Sequence, residues 1–319
     1  MVQTKYGVIS DIHKKPSIVP ELMNAFRKES IDRLILNGDL GDNKETIEST
    51  IQNSAQLGVE TYVQPGSHEK VADYMEVIDA LSKKFSNIVD VLKNPKIKNY
   101  DHYLVFLPGS DWNCGGQFTL TSEDFNGYYI KIKEVIKKLD QEGLYQVIKH
   151  PIARQSLLNL TSMNSLTKLV NDTERTIAVC HIPRKFDNLE EAVDMAYFAE
   201  RPDGSLLPGI IFEYLVREKL GYVEYSIIED VAKRNSIKLK RENRGNVGLK
   251  EIYERNGIKK AISGHFHESG HRANDLNSNH VEEGLITDNL FYNPGCADEG
   301  KAGIFTVEDN KISYKNIKL

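Results

Sequence analysis

The chain has 319 residues, of which 40% are hydrophobic and 27% are charged, and its formal net charge is -5 at pH 7. This length allows a sizeable core and predicts one α/β domain spanning 1–319, with insertions. The negative charge argues weakly against tight, sequence-independent binding of nucleic acid. No stretch approaches the roughly 18 consecutive apolar residues of a membrane span, and the start has no signal-peptide pattern. We therefore expect a soluble cytoplasmic protein, and the three cysteines, which lack CxxC spacing, predict no disulfide framework.

The N-terminal part of the chain alternates between apolar strands and amphipathic helices. Short apolar runs predict strands at 6–10, 33–37 and 60–63. Helical spacing of apolar residues predicts helices at 17–27 and 44–57, the second with Asp42 as its N-cap and Gly58 as its C-cap. In an open α/β sheet of this kind, ligands bind beyond the carboxyl ends of the strands.

Two long segments interrupt the later strands. They lie at about 110–175, here called the first insertion, and at about 187–255, the second insertion. We expect both to cap the site, with helices at 128–139, 190–198 and 211–219. The remaining strands are predicted at 102–107, 177–180, 260–263, 289–292, 303–307 and 311–314.

Five short segments place metal-ligating or hydrogen-bonding side chains directly after an apolar run. They are Asp11-Ile-His13, Gly38-Asp39, Gly66-Ser67-His68-Glu69, His181 and Gly264-His265-Phe266-His267. Each segment alone has a structural explanation as a turn or a core histidine. Carboxylates and imidazoles delivered together from several strand ends are what a pair of divalent cations needs to hold water and phosphate oxygens. The set therefore favours metal-dependent hydrolysis of a phosphoester.

In this order, the segments resemble the D-x-H, GD, GNH, H and GHxH motifs of the calcineurin-like metallophosphoesterases. The resemblance implies a four-layer α/β/β/α sandwich with helical cap insertions. It also implies two divalent metal ions, with manganese preferred and iron, zinc or nickel left open. The implied reaction is hydrolysis of a phosphomonoester or phosphodiester by in-line attack of a metal-bridging hydroxide.

Carried over to this sequence, the motifs imply two ligand sets that share one carboxylate. The first set is Asp11, His13, Asp39 and His267, and the second is Asp39, His181, His265 and the residue at position 67. His68 would protonate the leaving group or bind phosphate, oriented by Glu69. Ser67 stands where the family has asparagine. Because a neutral hydroxyl is a shorter and weaker ligand, we expect a weaker second site, with a water bridging Ser67 to the metal as the alternative to direct ligation.

Three functions remain open at this stage. The first is hydrolysis of a small or medium-sized phosphoester. The second is a nuclease, with nucleic acid lying along the basic segment 233–260, although a solvated surface is the commoner explanation of such a segment. The third is a non-catalytic binding or scaffold protein that has lost its second metal site, against which the retained His68 argues. The oligomeric state stays open.

Two residues outside the motifs are also worth testing. Trp112, the only tryptophan, could stack on a base or sugar or could pack under a cap. His271 follows His267 by four residues and could reach a substrate, although a structural role is favoured.

Overall fold

The structure is a computed structural model that describes residues 3–114, 116–187 and 191–319. Its strands, in chain order, are β1 Gln3–Ile9, β2 Arg33–Asn37, β3 Glu60–Gln64, β4 Ile88–Asp90, β5 Lys96–Lys98, β6 Tyr103–Leu107, β7 Phe118–Thr121, β8 Gly127–Ile132, β9 Val135–Lys138, β10 Leu157–Ser162, β11 Thr176–Cys180, β12 Met195–Glu200, β13 Leu206–Pro208, β14 Lys238–Asn243, β15 Lys260–Ile262, β16 Arg272–Asn274, β17 Leu290–Asn293, β18 Lys301–Glu308 and β19 Lys311–Lys318. Its helices are α1 Val19–Glu29, α2 Lys44–Ala55, α3 Val71–Lys84, α4 Gln141–Lys149, α5 Ser165–Leu169, α6 Gly209–Leu220, α7 Tyr225–Arg234 and α8 Val247–Arg255.

Two six-stranded sheets form the centre of the fold. The first has the strand order β19-β18-β1-β2-β3-β4, and the second has the order β16-β17-β15-β11-β6-β5. The strands β1 to β4 run parallel to one another, as do β17, β15, β11 and β6. Antiparallel strands flank both parallel groups. The five motif segments all follow parallel strands, at their carboxyl ends.

The two sheets pack face to face because their central strands are apolar on both sides. In β2, Ile35 points into the cluster between the sheets, whereas Leu34 and Leu36 contact the helices α1 to α3 on the outer face. In β11, Ile177 points into the same inner cluster, and Ala178 faces α5 and α8. Burial on both faces explains why these strands are continuous apolar runs. The α/β/β/α sandwich that the motifs imply is confirmed.

The helix predicted over 128–139 is wrong, because this part of the first insertion forms the hairpin of β8 and β9. Its sequence alternates β-branched residues with lysines, a pattern of period two that suits a strand better than a helix. The hairpin belongs to a separate four-stranded sheet with the strand order β7-β10-β8-β9. The insertion packs on the first sheet's helices, where the Phe118 and Tyr74 rings lie 5.3 Å apart.

The helix predicted over 190–198 is also wrong where the structure describes it. Residue 190 lies outside the described residues, and Met195–Glu200 is β12, which pairs with β13 on one side and with β14 on the other. A short buried apolar run is compatible with either a strand or a helix. This one is a strand because it forms hydrogen bonds with a strand on each side. The helix predicted over 211–219 is confirmed as part of α6. Both insertions, expected to be helical, therefore combine a small sheet with helices.

The other predicted elements are confirmed, with changes at their ends. The N-cap of α2 is Asn43 rather than Asp42, because the Asn43 side chain accepts a hydrogen bond of 2.9 Å from the backbone N–H of Thr46. The helix ends at Ala55, and Gly58 follows in the left-handed conformation with φ +83°. No helix in the described part of the chain is long and apolar enough to cross a membrane.

Candidate metal centre

The strands of both sheets deliver polar side chains to one edge of the sandwich. β1 leads to Asp11 and His13, β2 to Asp39, β3 to the segment 66–69, β11 to His181, and β15 to the segment 264–267. Four of these residues adopt a left-handed backbone, namely Asp11, His13, Asp39 and His265, with φ between 49° and 70°. Such conformations are unfavourable for residues other than glycine and cluster at functional sites. The local backbone strain thus supports a functional role for this edge.

The predicted metal ligands, together with His68, form two groups that share Asp39. In one group, ligand atoms of Asp39, His181 and His265 lie within 4.8 Å of one another, and in another those of His13, Asp39 and His68 do. His267 lies on the His13 side of the site, since its Nε2 atom lies 3.2 Å from His13 Nε2. It also lies 3.6 Å from an Asp11 carboxylate oxygen. Asp39 is therefore placed between the two groups.

His181 provides the test of whether a cation fits this site. The side chain is fully buried, and its Nδ1 lies 2.8 Å from the backbone oxygen of Asn37, to which it donates. Its Nε2 lies 3.1 Å from Asp39 Oδ2 but has no well-directed hydrogen-bond partner among the described residues. A neutral ring would thus aim a lone pair at a carboxylate, which is favourable only when a positive charge lies between them. The donor set fits a metal ion.

The pKa shifts of the site histidines point to the same demand for positive charge. Burial lowers the pKa of His181, but the Asp39 carboxylate outweighs burial and raises that pKa to about 10. Burial likewise lowers the pKa of His267, while the hydrogen bond to Asp11 raises it to about 9. The pKa of His265 shifts the other way, to about 4, because burial and the charge of His181 both disfavour its protonation. The Asp11 and Asp39 carboxylates thus favour positive charge on the neighbouring imidazoles, as they would favour a cation there.

Ser67 contacts Asp39 directly. Its hydroxyl donates to Asp39 Oδ2 at 2.8 Å, and the backbone N–H of His68 donates to Asp39 Oδ1 at 2.9 Å. The Asp39 carboxylate is held in place by these donors. Ser67 therefore contacts the carboxylate that both groups share, and it stands where the motif has its asparagine.

The expectation that Glu69 orients His68 is wrong. Glu69 is buried, and its carboxylate accepts hydrogen bonds from the backbone N–H groups of Leu40 and Gly66, which ties together two loops of the site. The partner of His68 is Asp42, whose Oδ1 lies 3.0 Å from His68 Nδ1. Asp42 was missed because its position just before α2 favoured a helix cap. Its position three residues after Asp39, on the same loop, was the signal that could have found it.

The remaining residues singled out from the sequence lie in different places. His271 does not face the site: its Nε2 contacts the backbone oxygens of Ala302 and Ile317 at 3.2 and 3.0 Å. Trp112 lies in a short 3-10 helix and lines a cavity of about 750 Å³ that reaches His265. The aromatic lining of this cavity is Trp112, Phe125 and Phe266, and its charged lining is Asp111, Glu123 and Arg244. Both insertions contribute to its wall.

Buried carboxylates and imidazoles at the carboxyl edge of an α/β/β/α sandwich define a metal-dependent hydrolase. The sequence model of the family described as calcineurin-like phosphoesterase matches residues 4–269, and the chain belongs to this family. Its general class is therefore that of a metal-dependent phosphoester hydrolase.

Solved structures share the fold at low sequence identity. One has a TM-score of 0.54 at 12% identity, over 99% of this chain and 100% of the other. The protein TT1561 of Thermus thermophilus has a TM-score of 0.53 at 8% identity, again over 99% and 100%. A dimetal phosphatase from Danio rerio gives 0.48 at 11% identity, over 99% and 96%. The first two matches support the fold, and among the curated proteins compared none matches this chain.

Proposed function

We propose that this chain hydrolyses a small or medium-sized organic phosphoester at a centre of two divalent metal ions. The observation that carries the proposal is the buried arrangement around Asp39. This carboxylate lies 3.1 Å from the unsatisfied Nε2 of His181 on one side and shares a ligand group with His13 on the other. A carboxylate between two such groups suits a bridging ligand.

The residues that would hold the ions are those of the two ligand sets. The first ion would be held by Asp11, His13, Asp39 and His267, and the second by Asp39, His181 and His265, with Ser67 nearby. Such ions would lower the pKa of a bound water and neutralise charge on the phosphoryl oxygens. Manganese is the first metal to test, with iron, zinc and nickel as alternatives, because oxygen and nitrogen ligands accept all four.

His68 is proposed to donate the proton that the leaving oxygen needs. About half of its side chain is exposed, which places the ring at the rim of the site where a substrate would enter. Its Nδ1–H donates to Asp42 Oδ1 over 3.0 Å, so Nε2 faces away from the carboxylate. Asp42 thus fixes the orientation of the ring, and the outward-facing Nε2 is the atom that would deliver the proton.

The cavity beside His265 favours a small organic substrate over a nucleic-acid backbone. Proteins that follow a nucleic-acid strand line the groove with many cations. Among the described residues that line this cavity, Arg244 is the one Lys or Arg, against the carboxylates Asp111 and Glu123, and most of the wall is apolar. We propose that the two insertions act as caps and hold the organic part of the ester there.

The nuclease remains the second candidate because of the basic segment 233–260. Several of its lysines already have acidic partners, which lowers the charge available to a polyanion. These pairs are Lys240 with Glu200, Lys250 with Asp187 and Lys259 with Glu174. The third candidate, a binding protein without turnover, requires that the second ion be lost at Ser67.

The deciding experiment is elemental analysis of the purified protein beside an assay of phosphomonoesters, phosphodiesters and oligonucleotides, with and without manganese. Two ions per chain and turnover of a small ester would support the proposal, and the better substrate would decide between phosphatase and phosphodiesterase. His68→Ala should lose turnover and keep its metal, whereas the matched variant His280→Ala, which replaces a histidine outside the site, should keep both. Preferential, salt-sensitive cleavage of oligonucleotides would favour the nuclease. Absence of turnover on every substrate with both ions bound would contradict catalysis.

A further inference from the structure

The second ligand set is short of one strong donor in this chain. Asp39, His181 and His265 supply three ligands, and position 67 holds a serine instead of an amide. The Ser67 hydroxyl donates to Asp39 Oδ2, so it is occupied by a carboxylate that already belongs to the set. A donor from elsewhere in the chain would complete the set.

The loop after β6 packs directly against the segment that contains Ser67. The Gly109 N–H donates to the Pro65 oxygen at 3.2 Å. At Gly116, an added Cβ atom would lie only 2.3 Å from the Ser67 backbone oxygen, so the two loops are in close contact there. This contact brings the short helix Trp112–Cys114 to the edge of the metal centre.

Cys114 is the residue of this loop that contacts one member of the second ligand set, His265. Its Sγ atom lies 3.6 Å from His265 Nε2. Zinc binds thiolate sulfur at about 2.3 Å and imidazole nitrogen at about 2.0 Å, and at a tetrahedral angle these two donors lie roughly 3.5 Å apart. The observed separation therefore suits two ligands of one ion. It also suits a hydrogen bond between thiol and imidazole, which is the alternative to be separated by experiment.

His181 gives an independent indication that a ligand belongs in this space. Its side chain is 0% exposed, and its Nε2 lies 3.1 Å from Asp39 Oδ2 without a directed hydrogen bond in the described part of the chain. His181 is grouped with Asp39 and with His265, the residue that Cys114 contacts. A buried imidazole nitrogen that faces a carboxylate without a directed hydrogen bond suits a space that a cation fills.

We propose that Cys114 is a ligand of the second metal ion, in the place that an asparagine amide has in the family motif. The inference rests on the proposed two-metal centre. On binding, the thiol proton leaves to solvent and a sulfur lone pair forms the bond to the ion. A thiolate beside two imidazoles and one carboxylate makes the second site softer than the first and shifts its preference from manganese toward zinc, cobalt(II) or iron(II).

Cys296 is the other sulfur near the centre and serves as the control. It is buried, and its Sγ lies 3.2 Å from His267 Nδ1 and 2.8 Å from Asp298 Oδ1. These contacts place it on the side of the first ligand set. A sulfur signal from Cys296 would therefore identify a different ligand and would contradict the proposal.

The experiment is a cobalt(II) titration of the full chain after removal of metal with a chelator. Thiolate ligands give cobalt(II) an intense charge-transfer absorption in the near ultraviolet, which oxygen and nitrogen ligands do not give. We expect this absorption in the wild type and in Cys296→Ser, and its loss in Cys114→Ser. Affinity for the second cobalt ion should fall at least about tenfold in Cys114→Ser. Adding Ser67→Asn to that variant should restore the affinity without the absorption.

A second readout uses the unaltered protein and does not depend on how a variant folds. Cys114 is exposed whereas Cys180 and Cys296 are buried, so in the native metal-free protein a thiol reagent should modify Cys114 first. Zinc should protect that thiol. An equally fast reaction with zinc bound, or an absorption that survives in Cys114→Ser, would overturn the assignment.

The outcomes also separate this proposal from the proposed function. If the wild type binds two cobalt ions without the charge-transfer absorption, Cys114 is not a ligand and the two-metal hydrolase stands. If the wild type binds fewer than two ions and hydrolyses no ester, the two-metal centre fails, and the role of Cys114 fails with it.

Discussion

Replacing Asp42 with asparagine tests whether the proposed proton donor depends on its neighbouring carboxylate. Asp42 Oδ1 lies 3.0 Å from His68 Nδ1, and both side chains are partly exposed. At that distance a pair of unit charges interacts by about 1.4 kcal/mol in water, and by more when a bound substrate excludes water. Since about 1.4 kcal/mol corresponds to about tenfold in rate, we expect Asp42→Asn to lower kcat by about tenfold to a hundredfold.

The assay compares two esters on enzyme saturated with metal. An alkyl ester has a poor leaving group that needs a proton, whereas p-nitrophenolate leaves without one. The loss should therefore be large for the alkyl ester and small for the p-nitrophenyl ester. Asp79→Asn is the matched control, because Asp79 is also a partly exposed carboxylate with a cationic partner, Lys93 at 2.6 Å, but lies outside the site.

A double-mutant cycle then decides whether Asp42 acts through His68. His68→Ala alone should lower turnover of the alkyl ester by about a hundredfold or more and leave metal binding nearly intact. In that background Asp42→Asn should have little further effect. An equal loss in both backgrounds would refute the reasoning and would point instead to His13, whose Nδ1 lies 3.7 Å from Asp42.

Three further expectations follow from other parts of the structure. Ser67→Asn should lower the manganese concentration needed for half-maximal rate, since an amide oxygen ligates better than a neutral hydroxyl; an unchanged requirement would show that position 67 is not at the metal. Gly116→Ala should lower both the melting temperature and the activity, because its Cβ would lie 2.3 Å from the Ser67 backbone oxygen, and an unchanged melting curve would contradict that close contact. His102 should make the stability depend on pH, because burial lowers its pKa below the usual 6.5. As the pH falls, the unfolded chain therefore takes up a proton at this histidine before the folded chain does. The free energy of unfolding should decrease as the pH falls below about 6.5. Chemical unfolding of the wild type between pH 7 and pH 5 should show this decrease, and an equal decrease in His102→Gln would assign it to another group. The neighbouring carboxyl of Asp101, 2.7 Å from His102, has a lowered pKa and therefore changes its charge only at more acidic pH.

The central sheets and the gathering of polar residues at one edge could be predicted from the sequence. Both depend on local patterns, since β2 and β11 are apolar runs that end in a motif, and parallel strands bring their ends together whatever the rest of the chain does. The insertions were harder to read. The residues 195–200 form an apolar run that becomes a strand because it pairs with a strand far along the chain. In 128–139, apolar residues and lysines alternate as in a strand, but the segment also contains helical spacing, and the alternation is what the structure follows.

Side-chain partnerships in the loops could not be predicted, because sequence spacing does not say which way a loop residue points. Glu69 is next to His68 in sequence but turns inward to accept two backbone N–H groups. Asp42 lies 26 residues from His68 and is its actual partner. Cys114 approaches His265 across 151 residues. Only the packing of one loop on another sets these distances.

The order of strands in the first sheet has a consequence for how the site is assembled during folding. β1, which leads to Asp11 and His13, pairs on one side with β2 and on the other with β18, whose residues follow all the proposed ligands in the chain. Each proposed ion would also take ligands from both sheets, with Asp39 on the first and His181 or His267 on the second. The ions would thus link the two sheets of the sandwich, and they could do so only after both sheets had formed. A chain that has not yet paired β1 with β18 would present incomplete ligand sets, and folding and metal uptake would be coupled steps.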